Sequence, residues 1–384
     1  MRFLHTSDWH VGKTLKGRNR LDEHRDVLRE IVAVARENAV DAVLVAGDLY
    51  ETSAPSAEAQ KLVVQALLAL RKTGAEVIAM SGNHDHPGLF EAYRPLMDAA
   101  GIHIVGAVRP ADKGGVVSFT ARSTGERVNV AVLPFLSQRY AVKATEILTG
   151  TPADHASAYD QQVRDVLASL KEGFTAGAVN IVMAHLTVTN GQLGGGERAA
   201  QTIFDYHVPA TAFGPEPHYV ALGHLHRRQS LPASCPVHYS GSPLAVDFGE
   251  QNNTSVVVLV EATASTPAAT TDIAIESGRR LRTVRGTLAE LAAGDFGDDF
   301  LRVYIREHPR AGLRDDVQEL LPNALEIRID EEFAHRVSTT VADIRPDRSP
   351  GELFSDFCDE RGIVDERLGQ LFGDLLDRLT TADN

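Results

Sequence analysis

Five short segments of this 384-residue chain crowd carboxylate, amide and imidazole groups together. They are SDWH, with Asp8 and His10; GDLYE, with Asp48; GNHDH, with Asn83, His84, Asp85 and His86; MAH, with His185; and GHLH, with His224 and His226. Carboxylate oxygen, amide oxygen and imidazole nitrogen together suit divalent cations between hard and borderline, such as Mn²⁺, Fe²⁺ or Zn²⁺, rather than Ca²⁺ or a thiolate-held zinc. One central carboxylate can bridge two such ions about 3.5–4 Å apart, the spacing that clamps an in-line displacement at phosphorus. Asp48 is the natural bridge. Alternate residues of an extended segment point to the same side, so the D-x-H spacing lets Asp8 and His10 reach one ion. The H-x-H pair His224 and His226 can do the same or divide between two ions.

The elements that would position these groups alternate. RFLHT reads as a strand and Leu21 to Glu37 as an amphipathic helix with Val27, Leu28, Ile31, Val32 and Val34 on its apolar face. DAVLVAGD is a continuous apolar run of buried-strand type. A helix over Ser56 to Lys72 and a strand over Glu76 to Met80 complete a βαβαβ order, which predicts a largely parallel sheet covered by helices. In such sheets ligands collect beyond the carboxyl ends of the strands. The polar segments stand at those ends, and NIVMAH and HYVALGHLH add two more strands that finish in histidine. A lone Gly-Asp is usually a turn and a lone histidine usually packs or faces water. Five strand ends with one chemistry are a different matter. His5, His24, His103, His155, His207, His218, His238, His308 and His335 have no such context and read as packing or surface residues, as does His86.

Composition is that of a globular protein, with 43% hydrophobic and 23% charged residues, and the length suggests two or three domains. No apolar run reaches the roughly 18 residues needed to cross a bilayer, and MRFLHTSDWH meets an Asp too early for a signal peptide, so a cytoplasmic location and no membrane contact are expected. Cys235 and Cys358 form no CxxC and read as packing residues. The net charge of −14 would repel a nucleic acid unless basic residues gather locally. Lys13, Lys16, Arg18 and Arg20 in KTLKGRNR, with Arg227 and Arg228, are the visible cluster. The loop NGQLGGGER, Asn190 to Arg198, lacks the GK[ST] of a P-loop, so it reads as a mobile loop and ATP binding is not expected.

The ordered series DWH, GDLYE, GNHDH, AH and GHLH resembles the calcineurin-type metallophosphoesterases. Within that superfamily HTSDWHVGKTL, VAGDLYETSAPS, SGNHDHP, VALGHLHRRQ and YSGSPLAVDFGE are similar to the SbcD family, nuclease subunits of bacterial complexes that act in double-strand break repair. The resemblance implies an α/β sandwich of two β-sheets flanked by helices, with a small α+β capping domain and C-terminal helices. It implies two metals, Mn²⁺ by family habit. Asp8, His10, Asp48 and His226 would hold one, and Asp48, Asn83, His185 and His224 the other, with a hydroxide between them attacking phosphorus. His84 would be the catalytic imidazole, and Asp85 is expected to orient it through its other ring nitrogen. The implied activity is exonuclease on double-stranded ends and endonuclease on hairpin or single-stranded DNA. The implied partner is an SbcC-type ATPase, in a heterotetramer built on a homodimer of this chain. Some relatives carry a His three residues after the bridging Asp; Glu51 stands there instead, so strand polarity does not transfer.

Domain limits are expected at 1–277 for the phosphoesterase domain, 278–344 for the capping domain and 350–384 for a helical partner-binding segment. EATASTPAATTD, at the end of the first, reads as a hairpin tip or a linker. In FLRVYIRE, Leu301, Val303 and Ile305 alternate with polar residues, the pattern of a one-sided strand. Arg279, Arg280, Arg282 and Arg302 are candidate phosphate contacts. Beyond the linker RPDRSP, Leu353, Phe354 and Phe357 mark one short helix, and Leu368, Leu371, Phe372, Leu375, Leu376 and Leu379 form a stripe that docks on its own core or on another chain. The alternative reading keeps the chemistry but gives it a small or protein substrate, for which the last two segments would have no use. A scaffold that had lost catalysis would have lost ligand residues, and every expected position is filled.

Overall fold

The computed structural model describes residues 1–137, 152–197 (backbone only at 152–155), 207–333, 354–355, 357–358 and 367–373. Arg198, His335, Leu353, Leu375, Leu376, Leu379, the linker RPDRSP and the His155 side chain lie outside it.

The expected alternation is present. It comprises β1 (Arg2–Thr6), a short hairpin of β2 (Thr14–Leu15) and β3 (Arg18–Asn19), α1 (Leu21–Glu37), β4 (Ala42–Val45), α2 (Ala57–Arg71), β5 (Glu76–Met80), α3 (Pro87–Ala99) and β6 (Ile102–Val105). β1, β4, β5 and β6 are parallel neighbours. The five apolar positions read for α1 are all buried. Ser56 caps α2, its hydroxyl accepting the Ala59 N–H at 3.2 Å. His86 plays a local part, for its Nδ1 accepts the Leu89 N–H and caps α3.

A second sheet follows from β7 (Val116–Thr120), β8 (Arg127–Leu133), α4 (Pro152–Lys171), β9 (Val179–His185), the short pair β10 (Thr187–Val188) and β11 (His207–Val208), β12 (Tyr219–Gly223), β13 (Gln229–Leu231) and β14 (Val237–Tyr239). The hairpin of β15 (Val256–Thr263) and β16 (Thr266–Ala274) returns to the first sheet, pairing antiparallel with β1. EATASTPAATTD is therefore a hairpin. The two six-stranded sheets run β16-β15-β1-β4-β5-β6 and β13-β14-β12-β9-β8-β7.

Their inner faces interlock through Phe3, Leu44, Ile78, Met80 and Val258 from one sheet and Val130, Ile181, Met183 and Tyr219 from the other. α1, α2 and α3 cover the outer face of the first sheet, and α4 covers the second, where the buried free Cys235 also packs. The sandwich of two sheets flanked by helices is thus the fold this chain adopts. Its parallel strands point their carboxyl ends at one edge, where the polar segments begin.

His5 ties the sheets together from inside. Its Nε2 lies 3.1 Å from the Leu222 carbonyl, which only accepts, so Nε2 carries the proton and Nδ1 accepts from the Tyr219 hydroxyl at 3.0 Å. Burial, with the nearby Arg228 and His238, lowers this imidazole to about 3. A histidine held neutral on folding takes up its proton only in the unfolded chain, so its contribution is complete above the unfolded value near 6.5 and is lost as pH falls toward 3. We expect His5→Leu to narrow the stability difference between pH 7 and pH 5 by about 2 kcal/mol, measured by denaturant melts of metal-free protein. An unchanged difference would show that His5 is not held neutral.

Past the sandwich, β17 (Leu281–Gly286), α5 (Leu288–Ala292), β18 (Phe300–Ile305), α6 (Leu313–Leu320) and β19 (Ala324–Ile329) form a three-stranded parallel sheet with its own core of Leu291, Leu301, Val303, Ile305 and Val317. β18 is one-sided as read, with Leu301, Val303 and Ile305 inside. The chain divides into two compact units, Met1–Asp330 and Glu331–Asn384. In the second, the rings of Phe354 and Phe372 stack at 4.2 Å, while Phe357, Leu368 and Leu371 are exposed. No helix among the described residues is long and apolar enough to cross a membrane.

Candidate metal centre

The turns after β1, β4 and β12 are strained where the polar residues stand. Asp8, His10, Asp48 and His224 all have positive φ, at 53°, 46°, 52° and 103°. Such conformations cost a non-glycine residue on the order of 1 kcal/mol or more and persist only where their surroundings fix them. Here the first two turns are laced together: the N–H groups of Asp8, His10 and Val11 donate to the carbonyls of Gly47, Asp48 and Leu49, each at 3.0 Å. Glycine is required beside them. A Cβ on Gly47, at φ 94°, would lie 2.3 Å from His185 Nδ1, and one on Gly82 would lie 2.2 Å from Asp48 Oδ1.

All seven residues read as metal ligands meet in one place. Asp48 Oδ1 accepts the His84 N–H at 2.8 Å, which leaves Oδ2 facing His10 Nε2 at 3.7 Å and His185 Nε2 at 3.4 Å. On one side, His10 Nε2 and His226 Nε2 are 3.0 Å apart, and donor atoms of Asp8, His10 and His226 lie within 4.8 Å of one another. On the other, Asn83 Oδ1 is 2.8 Å from both His185 Nε2 and His224 Nδ1. The His224 N–H donates to Asp8 Oδ1 at 3.0 Å, binding the two sides together.

The proton inventory shows what this arrangement needs. His10 Nδ1 donates to Glu51 at 3.0 Å, His226 Nδ1 to Glu250 at 2.5 Å, and His185 Nδ1 to the Ala46 carbonyl at 2.8 Å. With those protons committed, the Nε2 lone pairs of His10 and His226 point at each other, and that of His185 points at an amide oxygen. Facing acceptors repel unless a proton or a cation lies between them. The donor set therefore fits divalent cations in two adjoining subsites.

Electrostatics agrees. Burial would lower His185, but Asp48 outweighs it and lifts the imidazole to about 9. Burial likewise opposes His226, which Glu250 and Asp8 raise to about 10. Asp48 stays ionised despite burial because His185, His10 and His84 surround it. These imidazoles attract protons only because carboxylates are packed against them, and a divalent cation would answer the same field.

His84, 6% exposed, packs edge-on to the His10 ring at 4.6 Å. Asp85, expected to orient His84, does not bond to its ring. The His84 Nδ1 donates to the Glu51 carbonyl at 2.8 Å, while Asp85 accepts the N–H groups of Leu49, Tyr50 and Gly82. Asp85 thus pins the turn after β4 to the turn after β5. Burial and the Asp48 charge raise it to about 7.

Several participants had no role in the sequence reading. Glu250 is buried and takes the Val246 N–H on its second oxygen at 2.8 Å. Glu197 accepts the N–H groups of Gly194, Gly195 and His226. With Asn253 donating to the Gly194 carbonyl, it ties the glycine-rich loop to the turn after β12. Phe135, partly exposed, lies against the His185 and His224 rings. The VDFGE motif held Glu250 in view without assigning it a function. Glu197 had no local signal.

The basic cluster is largely engaged. Lys13 pairs with Glu51, Lys16 with Glu326, buried Arg20 with Glu23, and Arg228 with Asp272, whereas Arg18 and Arg227 are exposed. Among the candidate phosphate contacts, Arg302 pairs with Glu326 and lies over Phe248, Arg282 pairs with Asp299, and Arg279 lies over Phe300.

Comparison with known proteins agrees with this geometry. Residues 1–228 match the calcineurin-like phosphoesterase family. The chain is 35% identical over 290 residues to the SbcD subunit of the nuclease SbcCD from Bacillus subtilis, covering 73% of this chain and 71% of that one. It is 34% identical over 261 residues to the same-named protein of Rhodobacter capsulatus (65% and 64%), and 27% identical over 303 residues to that of Escherichia coli K12 (76% and 73%). With its strand-end histidines and carboxylates in one cluster, the chain belongs to the calcineurin-like phosphoesterases, among the SbcD proteins.

Proposed function

We propose that this chain is a two-metal phosphodiesterase that cuts DNA, exonucleolytically at double-stranded ends and endonucleolytically at hairpins or single strands, together with an SbcC-type ATPase in repair and recombination. The observation that carries this reading is the convergence of lone pairs on both sides of Asp48 Oδ2. The names of the relatives supply the substrate class and the partner.

Asp8, His10, Asp48 and His226 would hold one cation, and Asp48, Asn83, His185 and His224 the other, with Mn²⁺ the expected species. When bound, the ions supply Lewis acidity, offsetting charge on the phosphoryl oxygens and favouring attack by water. The chain's own part is positional. The strained turns hold the acceptors in place before substrate arrives, so little reorganisation accompanies the reaction. His84, fixed through Nδ1 to the Glu51 carbonyl, has Nε2 available to give a proton to the leaving oxygen or a hydrogen bond to phosphoryl oxygen. Asp85 acts at one remove by fixing the turn that carries Asn83 and His84.

The three-stranded unit would cap the DNA, with Arg18, Arg227 and Arg280 among the exposed basic residues that would meet phosphate. The C-terminal helical segment, with exposed Phe357, Leu368 and Leu371, would bind the ATPase. Homodimerisation within a heterotetramer and a cytoplasmic location belong to the same reading. The test is Mn²⁺-dependent digestion of linear and hairpin DNA with and without the ATPase. Cutting of both is expected. Cleavage confined to nucleotide-sized phosphodiesters would favour a small-substrate enzyme instead.

A further inference from the structure

We infer that the two cation subsites fill in a fixed order, the one formed by Asp8, His10 and His226 first, and that Glu250 is the positioning residue that sets this order. The inference rests on the two-metal reading above and adds to it which ion is held tightly and by what.

The two sides differ in what stands behind their imidazoles. Both histidines of the first side are backed by carboxylates, His226 by Glu250 and His10 by Glu51. Glu197 adds a third, accepting the His226 N–H at 2.9 Å. Asp8 supplies a charge directly. On the second side Asn83 is neutral, His185 is backed by a backbone carbonyl, and His224 rests against the Phe135 ring. Asp48 is common to both. The first subsite therefore presents several more negative charges to a divalent cation than the second, in a buried place where water screens them least.

A carboxylate on the far nitrogen also makes an imidazole a stronger ligand and fixes its ring, and removing such a partner typically costs about 10–100-fold in metal affinity. Glu250 is the stronger lever of the two. Glu51 is shared with Lys13, whose Nζ lies 2.9 Å away and offsets part of its charge. Among the described residues Glu250 meets only the Val246 N–H on its other oxygen, and it is 1% exposed. Its position is built in: Asp247 caps the turn that carries it, and Gly249 packs against Gly195, where a Cβ on either residue would meet backbone within 2.8 Å.

The test is titration of the metal-free full chain with Mn²⁺, followed by calorimetry and electron paramagnetic resonance. The parent should take up one ion tightly with the six-line signal of an isolated Mn²⁺, then a second, weaker ion whose arrival replaces that signal with one from a spin-coupled pair. Asn83→Ala should remove only the weaker step. Glu250→Gln, which keeps shape and loses charge, should weaken the tighter step about 10–100-fold and leave the weaker one nearly unchanged. Glu51→Gln should do the same to a smaller degree, and it carries the test if circular dichroism shows Glu250→Gln to be misfolded. Simultaneous filling in the parent, loss of the tight step in Asn83→Ala, or equal weakening of both steps in the glutamine variants would overturn the inference while leaving two-metal binding intact. Failure of the parent to bind Mn²⁺ would overturn both.

Discussion

Replacing His84 with alanine is expected to reduce DNA cleavage by about 10²–10⁴-fold, the usual worth of a positioned acid or base, while the protein still takes up two cations. The expectation comes from where the ring is held. Its Nδ1 proton is committed to the Glu51 carbonyl, so proton transfer can occur only at Nε2, and the His10 ring edge restricts its tilt. A group used only as charge develops lowers kcat when removed and leaves KM nearly unchanged. The competing role is that of a ligand, since donor atoms of His10, Asp48 and His84 also lie within 4.8 Å of one another. Metal stoichiometry separates the two. Loss of one cation in His84→Ala would make His84 a ligand, and undiminished cutting would remove it from the mechanism.

Asp48→Asn is expected to weaken both cations together, each by more than the roughly 100-fold that an outer partner costs, and to bring cleavage to background. Asp48 Oδ1 is occupied by the His84 N–H, so a single oxygen serves both sides. Asparagine can keep the Oδ1 contact, but it would then turn an amide NH₂ toward His10 and His185, where a negative oxygen stood. His185, raised by that carboxylate, would also lose the charge that holds it. Asp8→Asn, by contrast, should affect one ion far more than the other. Calorimetric titration of both variants is the measurement, and one unaltered binding step in Asp48→Asn would exclude a bridge.

Much of this centre was legible in the sequence because parallel strands write themselves as short apolar runs, and the residues that follow each run lie at one edge of a sheet. The glycines before Asp48, Asn83 and His224 stand where backbone and side chains approach too closely for a Cβ, a demand that only the folded structure displays. Asp85 follows His84 in sequence, but the turn sends its carboxylate back to three N–H groups rather than to its neighbour's ring, which no local pattern records. Glu250 and Glu197 reach His226 across 24 and 29 residues, a relation that no local periodicity records. The basic cluster suffered a similar loss. Its charges are visible in the sequence, but the acidic partners that engage Lys13, Lys16 and Arg20 include residues as distant as Glu326.

Anomalous diffraction from a crystal soaked in Mn²⁺ addresses the central claim most directly. Two peaks are predicted, one on each side of Asp48 Oδ2, the first among Asp8, His10 and His226 and the second among Asn83, His185 and His224. A saturated crystal with a single peak, or with Asp48 touching neither ion, would contradict the account.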